Sequence, residues 1–197
     1  MIEGHFYFIS DEYFTAFPDP RLMSNREQLS GSSHDRPCFC AFMDRKTGLF
    51  WLIPISSQLS KFRSLYQSKL AKRGRCDTID FGFVLGHEKA FLLQNMCPVS
   101  EQYIHNEYLD PLHNKPVQLD GAFEHQLMQK ARKVLALQRK GIPLIFPDVL
   151  SIEKQLILLR NEGQDRSREE RFWPFSKIGT QRERSTGFDG NVNLRHS

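Results

Sequence analysis

Two adjacent hydroxyls, Ser56 and Ser57, stand where the chain changes from strongly apolar to strongly basic. Residues 49–55 read Leu-Phe-Trp-Leu-Ile-Pro-Ile, and residues 61–76 hold six cations, Lys61, Arg63, Lys69, Lys72, Arg73 and Arg75, with no acid among them. Hydroxyls donate hydrogen bonds to phosphate oxygens, and ammonium and guanidinium groups neutralise phosphate charge. Surface helices usually mix Glu with Lys, because opposite charges four residues apart stabilise one another. A run of cations alone accepts mutual repulsion and suits a polyanionic partner. Taken singly, the cations also read as a solvated helix face, and the serines as helix caps.

RNA carries its own nucleophile, the 2′-hydroxyl, so cutting it requires in-line positioning, donors or cations for the developing charge, and proton transfer to and from oxygen. Ser56, Ser57 and Lys61 offer hydrogen bonds and charge, joined by free N–H groups if a helix begins at Ser57. Among the histidines, His5 reads as structural in a strand, His87 lies at a hairpin tip, and His105, His113 and His125 are scattered. His34 stands in a polar loop beside Asp35 and Arg36, which makes it a candidate for acid–base work and Arg36 a candidate phosphate contact. No Gly-rich phosphate loop, dinucleotide fingerprint, nucleophile elbow or His-Glu-x-x-His motif occurs. Cys38, Cys40, Cys76 and Cys97 match no zinc spacing and read as buried reduced thiols, and no carboxylate cluster suits magnesium, so no cofactor is expected.

The elements that must position these groups follow from periodicity. His5-Phe6-Tyr7-Phe8-Ile9 predicts a first strand, and residues 11–14 a brief helical turn before Pro18 and Pro20. Residues 21–36 read as a long polar loop. Residues 37–43 and 49–53 form a hairpin across Asp44-Arg45-Lys46-Thr47-Gly48, and a basic helix covers 58–73, its apolar side formed by Leu59, Phe62, Tyr66 and Leu70 and its polar side by Lys61, Ser68 and Lys72. A second hairpin joins 79–85 to 89–94. Residues 95–120 are irregular, with room for a short strand at 117–119. Asp120 caps a helix to Lys140, and a last helix spans about 149–161, stopped by Gly163. The fold class is α+β: a small antiparallel, partly barrelled sheet, an inserted basic helix and two C-terminal helices. The 197 residues suit one domain, 1–163, followed by a basic tail, 164–197, rich in Arg, Ser, Gly and Asn and read as disordered. Composition is that of a soluble protein, 40% hydrophobic and 25% charged, with a net charge of +4. With no signal-peptide pattern at the start and no apolar run of membrane-spanning length, a cytoplasmic location is expected.

The segment Leu52-Ile53-Pro54-Ile55-Ser56-Ser57 followed by Lys61 resembles the Pro-Leu/Ile-Ser/Thr-Ser … Lys segment of the toxins of type III toxin–antitoxin systems, the ToxN/AbiQ endoribonucleases with their CptN- and TenpN-like relatives. The aromatic first strand, the polar loop before Pro37-Cys38-Phe39 and the helical C-terminal segment fit as well, so the likeness covers roughly residues 4–160. The resemblance implies a β-barrel-like core related to the MazF/Kid ribonucleases, metal-independent cleavage leaving a 2′,3′-cyclic phosphate, and an RNA substrate. It also implies neutralisation by a small structured repeat RNA in a protein–RNA hetero-oligomer, with no membrane partner. By that likeness Ser56 and Ser57 match the hydroxyl pair, Lys61 the lysine, at a longer spacing than in some relatives, and Arg36 a basic residue of the preceding loop. The tyrosine some relatives carry on that loop has no counterpart between Ser24 and Pro37. The general base is therefore unassigned, with His34 as its substitute. RNA binding is expected of Arg63, Lys69, Lys72, Arg73 and Arg75, and the alternative is a non-catalytic RNA-binding protein using the Lys61–Arg75 basic helix.

Overall fold

A computed structural model of the chain describes residues 1–29 and 32–172. In chain order the elements are β1 (Phe6–Ile9), α1 (Asp11–Ala16), β2 (Arg26–Leu29), β3 (Ser32–Asp35), β4 (Cys38–Asp44), β5 (Leu49–Ser56), α2 (Leu59–Arg73), β6 (Asp80–Val84), β7 (His87–Phe91), β8 (Cys97–Val99), β9 (Ile104–Glu107), α3 (Gly121–Arg139) and α4 (Val149–Phe172). Seven strands form one antiparallel sheet in the order β6-β7-β5-β4-β1-β9, with β8 also paired to β5. The sheet is open, and β2 with β3 makes a separate two-stranded ribbon. The antiparallel sheet, inserted helix and C-terminal helices are those expected from the pattern.

The most apolar run becomes the strand buried along its whole length. All eight residues of β5 are buried, which explains why its sequence is continuous in apolar residues rather than alternating. β4 covers one edge, pairing from Asp44 opposite Leu49 to Cys38 opposite Pro54. The other edge is shared: Phe50 to Leu52 pair with β8, and Ile55 and Ser56 pair with β7. Pro54 stands between those two ladders, where its lack of an N–H disturbs neither, and its carbonyl accepts from Leu92 N–H at 3.1 Å. β5 thus hands its C-terminal end, and with it Ser56, to β7.

The main core gathers Phe6, Tyr13, Phe39, Trp51, Leu52 and Phe91 with the inner face of α3, Leu127, Ala131, Val134 and Leu135. Asp120 caps α3 through the Ala122 and Phe123 N–H groups, as predicted. Arg139 at its end joins Asp44 at 2.6 Å and also Glu153 of α4. A smaller cluster, Phe62, Cys76, Ile79, Ala90 and Leu92, seats α2 on β6 and β7. All four cysteines are buried free thiols, and burial pushes Cys40 and Cys97 up to about 12.

Three expectations are corrected. Residues 21–36 are not simply a loop: they carry the β2–β3 ribbon, in which Glu27 pairs opposite His34. Polar residues hid it, because Glu27 and Arg36 satisfy one another out of solvent. The stretch 95–120 holds β8 and β9 rather than a strand at 117–119, where Val117 and Leu119 are instead anchored in the core. The last helix does not stop at Gly163 but runs to Phe172. The chain divides after Leu159 into a first compact unit, Met1–Leu159, and a second that begins at Arg160. In the first, α4 contributes Val149, Ile152 and Leu156 to the core; in the second, residues 160–172 are helical. The expectations for the chain beyond 172 lie outside the described residues. No helix among the described residues is long and apolar enough to cross a membrane.

Candidate active-site cleft

The junction from β5 to α2 is locked from below by a buried carboxylate. Glu27 of β2 accepts the Ser56 hydroxyl hydrogen bond, and its second oxygen accepts from Ser57 N–H at 3.1 Å. Ser56 Oγ in turn accepts from Gln58 N–H at 3.1 Å. Ser56, 1% exposed, is therefore committed in both roles and shapes the turn. Neither serine caps α2 itself.

Arg36 holds the carboxylate from the other side. Its Nη1 lies 3.7 Å from Glu27 Oε1 and donates to the Ile55 carbonyl at 3.1 Å, while Nε donates to Ser24 O at 2.9 Å. Both side chains are 7% exposed. Desolvation lowers the Arg36 pKa, with the Glu27 charge acting against it. Charge pairing and backbone acceptors are what make such burial tolerable. Arg36 thus fixes the ends of β5 and β2 rather than facing solvent.

Ser57 is the partly exposed member of the pair. Its Oγ accepts a hydrogen bond from the Lys89 ammonium of β7. With Lys89 on a lone pair, the Ser57 O–H proton is left to point elsewhere. Ser57, Lys89, Glu27, His87 and Tyr108 line one cleft of about 880 Å³, with Phe8, Ile55 and Val84 among its apolar walls. The Tyr108 phenol is raised, by burial first and by the Asp110 charge second. It stays a neutral donor through the physiological range. The cleft thus holds a hydroxyl, an ammonium, an imidazole and a phenol, groups able to donate to a phosphoryl oxygen, alongside the carboxylates of Glu27, Asp35 and Asp110.

The other predicted residues are dispersed. Lys61 is exposed on the first turn of α2, its ammonium 5.5 Å from the neighbouring Phe62 ring, and does not line the cleft. The His34 side chain lies outside the described residues. Arg63 joins Glu88 at 2.6 Å and stacks on Phe81 at 4.8 Å. Arg75 pairs with Asp77 at 3.1 Å. Lys69 turns inward to Thr78 at 2.7 Å and Gln94 at 2.5 Å, and burial lowers its pKa. Lys72 and Arg73 are exposed, and no hydrogen bond or ion pair occupies them among the described residues. The acid-free run is thus partly matched in space by acids from outside it, Glu88 and Asp77. Glu27, Lys89, His87 and Tyr108 come from stretches where no motif marks them. The one available signal was a charged Lys89 beside the apolar Ala90-Phe91 of a strand.

No protein-family model matches the sequence, and no curated protein matches it. Solved structures do share its fold. AbiQ, a lactococcal anti-phage endoribonuclease of a type III toxin–antitoxin system, superposes with a TM-score of 0.57 at 13% identity, covering 80% of this chain and 98% of AbiQ. A chain from a bacterial antiviral system regulated by a processed non-coding RNA gives 0.55 at 15% identity, covering 78% and 96%. These likenesses establish a common architecture across nearly the full length of both neighbours.

Proposed function

We propose that the chain is the toxin of a type III toxin–antitoxin system: an endoribonuclease that cuts RNA through attack of the 2′-hydroxyl on the adjacent phosphate. The observation that carries this reading is the Ser57–Lys89 contact in a cleft, on the fold shared with the AbiQ endoribonuclease. In the proposed reaction the 2′-oxygen bonds to phosphorus and the 5′-oxygen leaves, giving a 2′,3′-cyclic phosphate and a 5′-hydroxyl. Ser57 O–H and the Lys89 ammonium hold the non-bridging oxygens as charge develops on them. A proton leaves the 2′-oxygen and another reaches the 5′-oxygen, and His87 and Tyr108 are the cleft groups able to carry them. Lys61 serves RNA affinity from outside the cleft, and a small structured RNA that fills the same cleft neutralises the toxin.

Expression of the chain alone tests this. Growth should stop, and cellular RNA should acquire ends bearing cyclic phosphate. Ser57→Ala should relieve both. A Ser57→Ala protein as toxic as its parent, yielding the same RNA ends, would sink the site assignment. Growth arrest without new RNA ends would instead favour non-catalytic RNA binding through the exposed cations of α2.

A further inference from the structure

A second groove lies away from the cleft, between α2 and the loop joining α3 to α4. Leu65, Ser68, Lys72 and Arg73 form one wall, and Pro143 and Phe146 the other, around about 260 Å³. The helical wall follows from spacing, since positions three, four, seven and eight residues apart share a helix face. No carboxylate is among the residues lining this groove.

Phe146 is the informative residue. The residue is 43% exposed, although the loop around it is held firmly. Phe146 N–H donates to Gln94 O at 2.7 Å, and the Leu144 and Ile145 N–H groups both donate to Gln138 Oε1. Ile145 and Pro147 are buried on either side. The loop therefore presents the ring outward on a fixed backbone, while the Lys69 ammonium sits 5.3 Å from its centre. A rigid aromatic surface flanked by unpaired cations is how proteins hold single-stranded nucleic acid: the base stacks and the phosphates meet the cations.

We infer that this groove is a second RNA-binding site, in which a base of a single-stranded segment stacks on Phe146 and its phosphates contact Lys72 and Arg73. It rests on the ribonuclease reading above in taking RNA as the ligand. Lys61 lies on the same helical stripe as Leu65, Ser68 and Lys72, about 16 Å along the axis from Lys72. The stripe leads from the groove to the end of α2 that adjoins Ser57.

The test is binding of a short unstructured, labelled oligoribonucleotide to the full chain across a range of salt. Phe146→Ala should weaken binding about tenfold. Lys72→Gln with Arg73→Gln should lower the slope of log affinity against log salt by about 1.4. Cleavage of a dinucleotide, too short to reach the groove, should be unchanged in both variants. Affinities and slopes equal to the parent's would overturn the groove, as would an equal loss in dinucleotide cleavage, or a polyglutamate peptide competing as well as RNA. A parent that binds RNA through this groove without cutting it removes the nuclease reading and leaves the groove. A parent that cuts RNA but ignores these substitutions does the reverse.

Discussion

The Lys89 ammonium on β7 donates to the Ser57 hydroxyl just beyond the end of β5, so the pairing of these two strands brings together a cation and a hydroxyl 32 residues apart. The contact occupies one lone pair of the Ser57 oxygen, and in the proposed reaction it sets positive charge beside the phosphate. Lys89→Ala should therefore lower kcat for RNA cleavage about a hundred- to a thousandfold, the usual loss for one donor at a developing charge. Lys61→Ala should change kcat by no more than about twofold and act on KM instead. Steady-state cleavage of a defined RNA separates them, and the opposite ranking would return the catalytic role to Lys61.

Glu27 and Arg36 are the buried support of the same turn. Removing Arg36 leaves the carboxylate unpaired out of water and strands the Ile55 and Ser24 carbonyls. Arg36→Ala should cost about 3–5 kcal/mol in urea unfolding. Glu27→Gln keeps an acceptor for Ser57 N–H and should cost about 1–3 kcal/mol. A loss below 1 kcal/mol for Arg36→Ala, on the same order-of-magnitude scale, would mean that the pair is solvated.

How far the sequence reveals this site depends on what each residue does. Ser56 and Ser57 were legible because an apolar strand ends beside them and a helix begins. Their division of labour was not, since nothing local says that one hydroxyl is tied to Glu27 and the other to Lys89. Both partners arrive from strands distant in the chain. The Phe and Leu pattern of β4, β5 and α3 was legible because burial and periodicity are local properties. The β2–β3 ribbon was not, because its buried charges compensate each other and imitate a solvated loop. The basic run was misleading in part for the same reason: Glu88 and Asp77 pair with Arg63 and Arg75 only once the chain is folded.

Acid should unfold the protein through particular carboxylates. Burial alone would raise the Asp44 pKa, but hydrogen bonds from Arg139 at 2.6 Å and Lys46 N–H at 2.9 Å override it and hold the group below 3.8. A pKa depressed by folding contributes stability that is complete above the unfolded value and is lost as pH falls through the folded one. Stability to urea should accordingly hold nearly level from neutrality to about pH 5 and decline below about pH 4. Asp44→Asn should lower the plateau and shallow the acid decline. An unchanged acid slope in that variant would exclude Asp44 as a contributor.

Gly82 of β6 stands opposite Lys89 in the β6–β7 ladder, and the Phe123 ring of α3 lies against it. A Cβ at Gly82 would fall 2.3 Å from Phe123 Cε1, far inside van der Waals contact. The ring is also packed against Phe91 at 5.2 Å between centres, which limits its retreat. Glycine in a strand interior is otherwise unfavourable, so close approach is the reason for it here. Gly82→Ala should cost about 1–3 kcal/mol in urea unfolding, as overpacking does. It should also slow RNA cleavage, because the strand pair that carries Lys89 must shift. Phe123→Leu in the same chain should recover part of both losses, giving a favourable coupling of about 0.5–3 kcal/mol in a double-mutant cycle. A Gly82→Ala protein as stable and as active as the parent would show that α3 can move aside without disturbing β7.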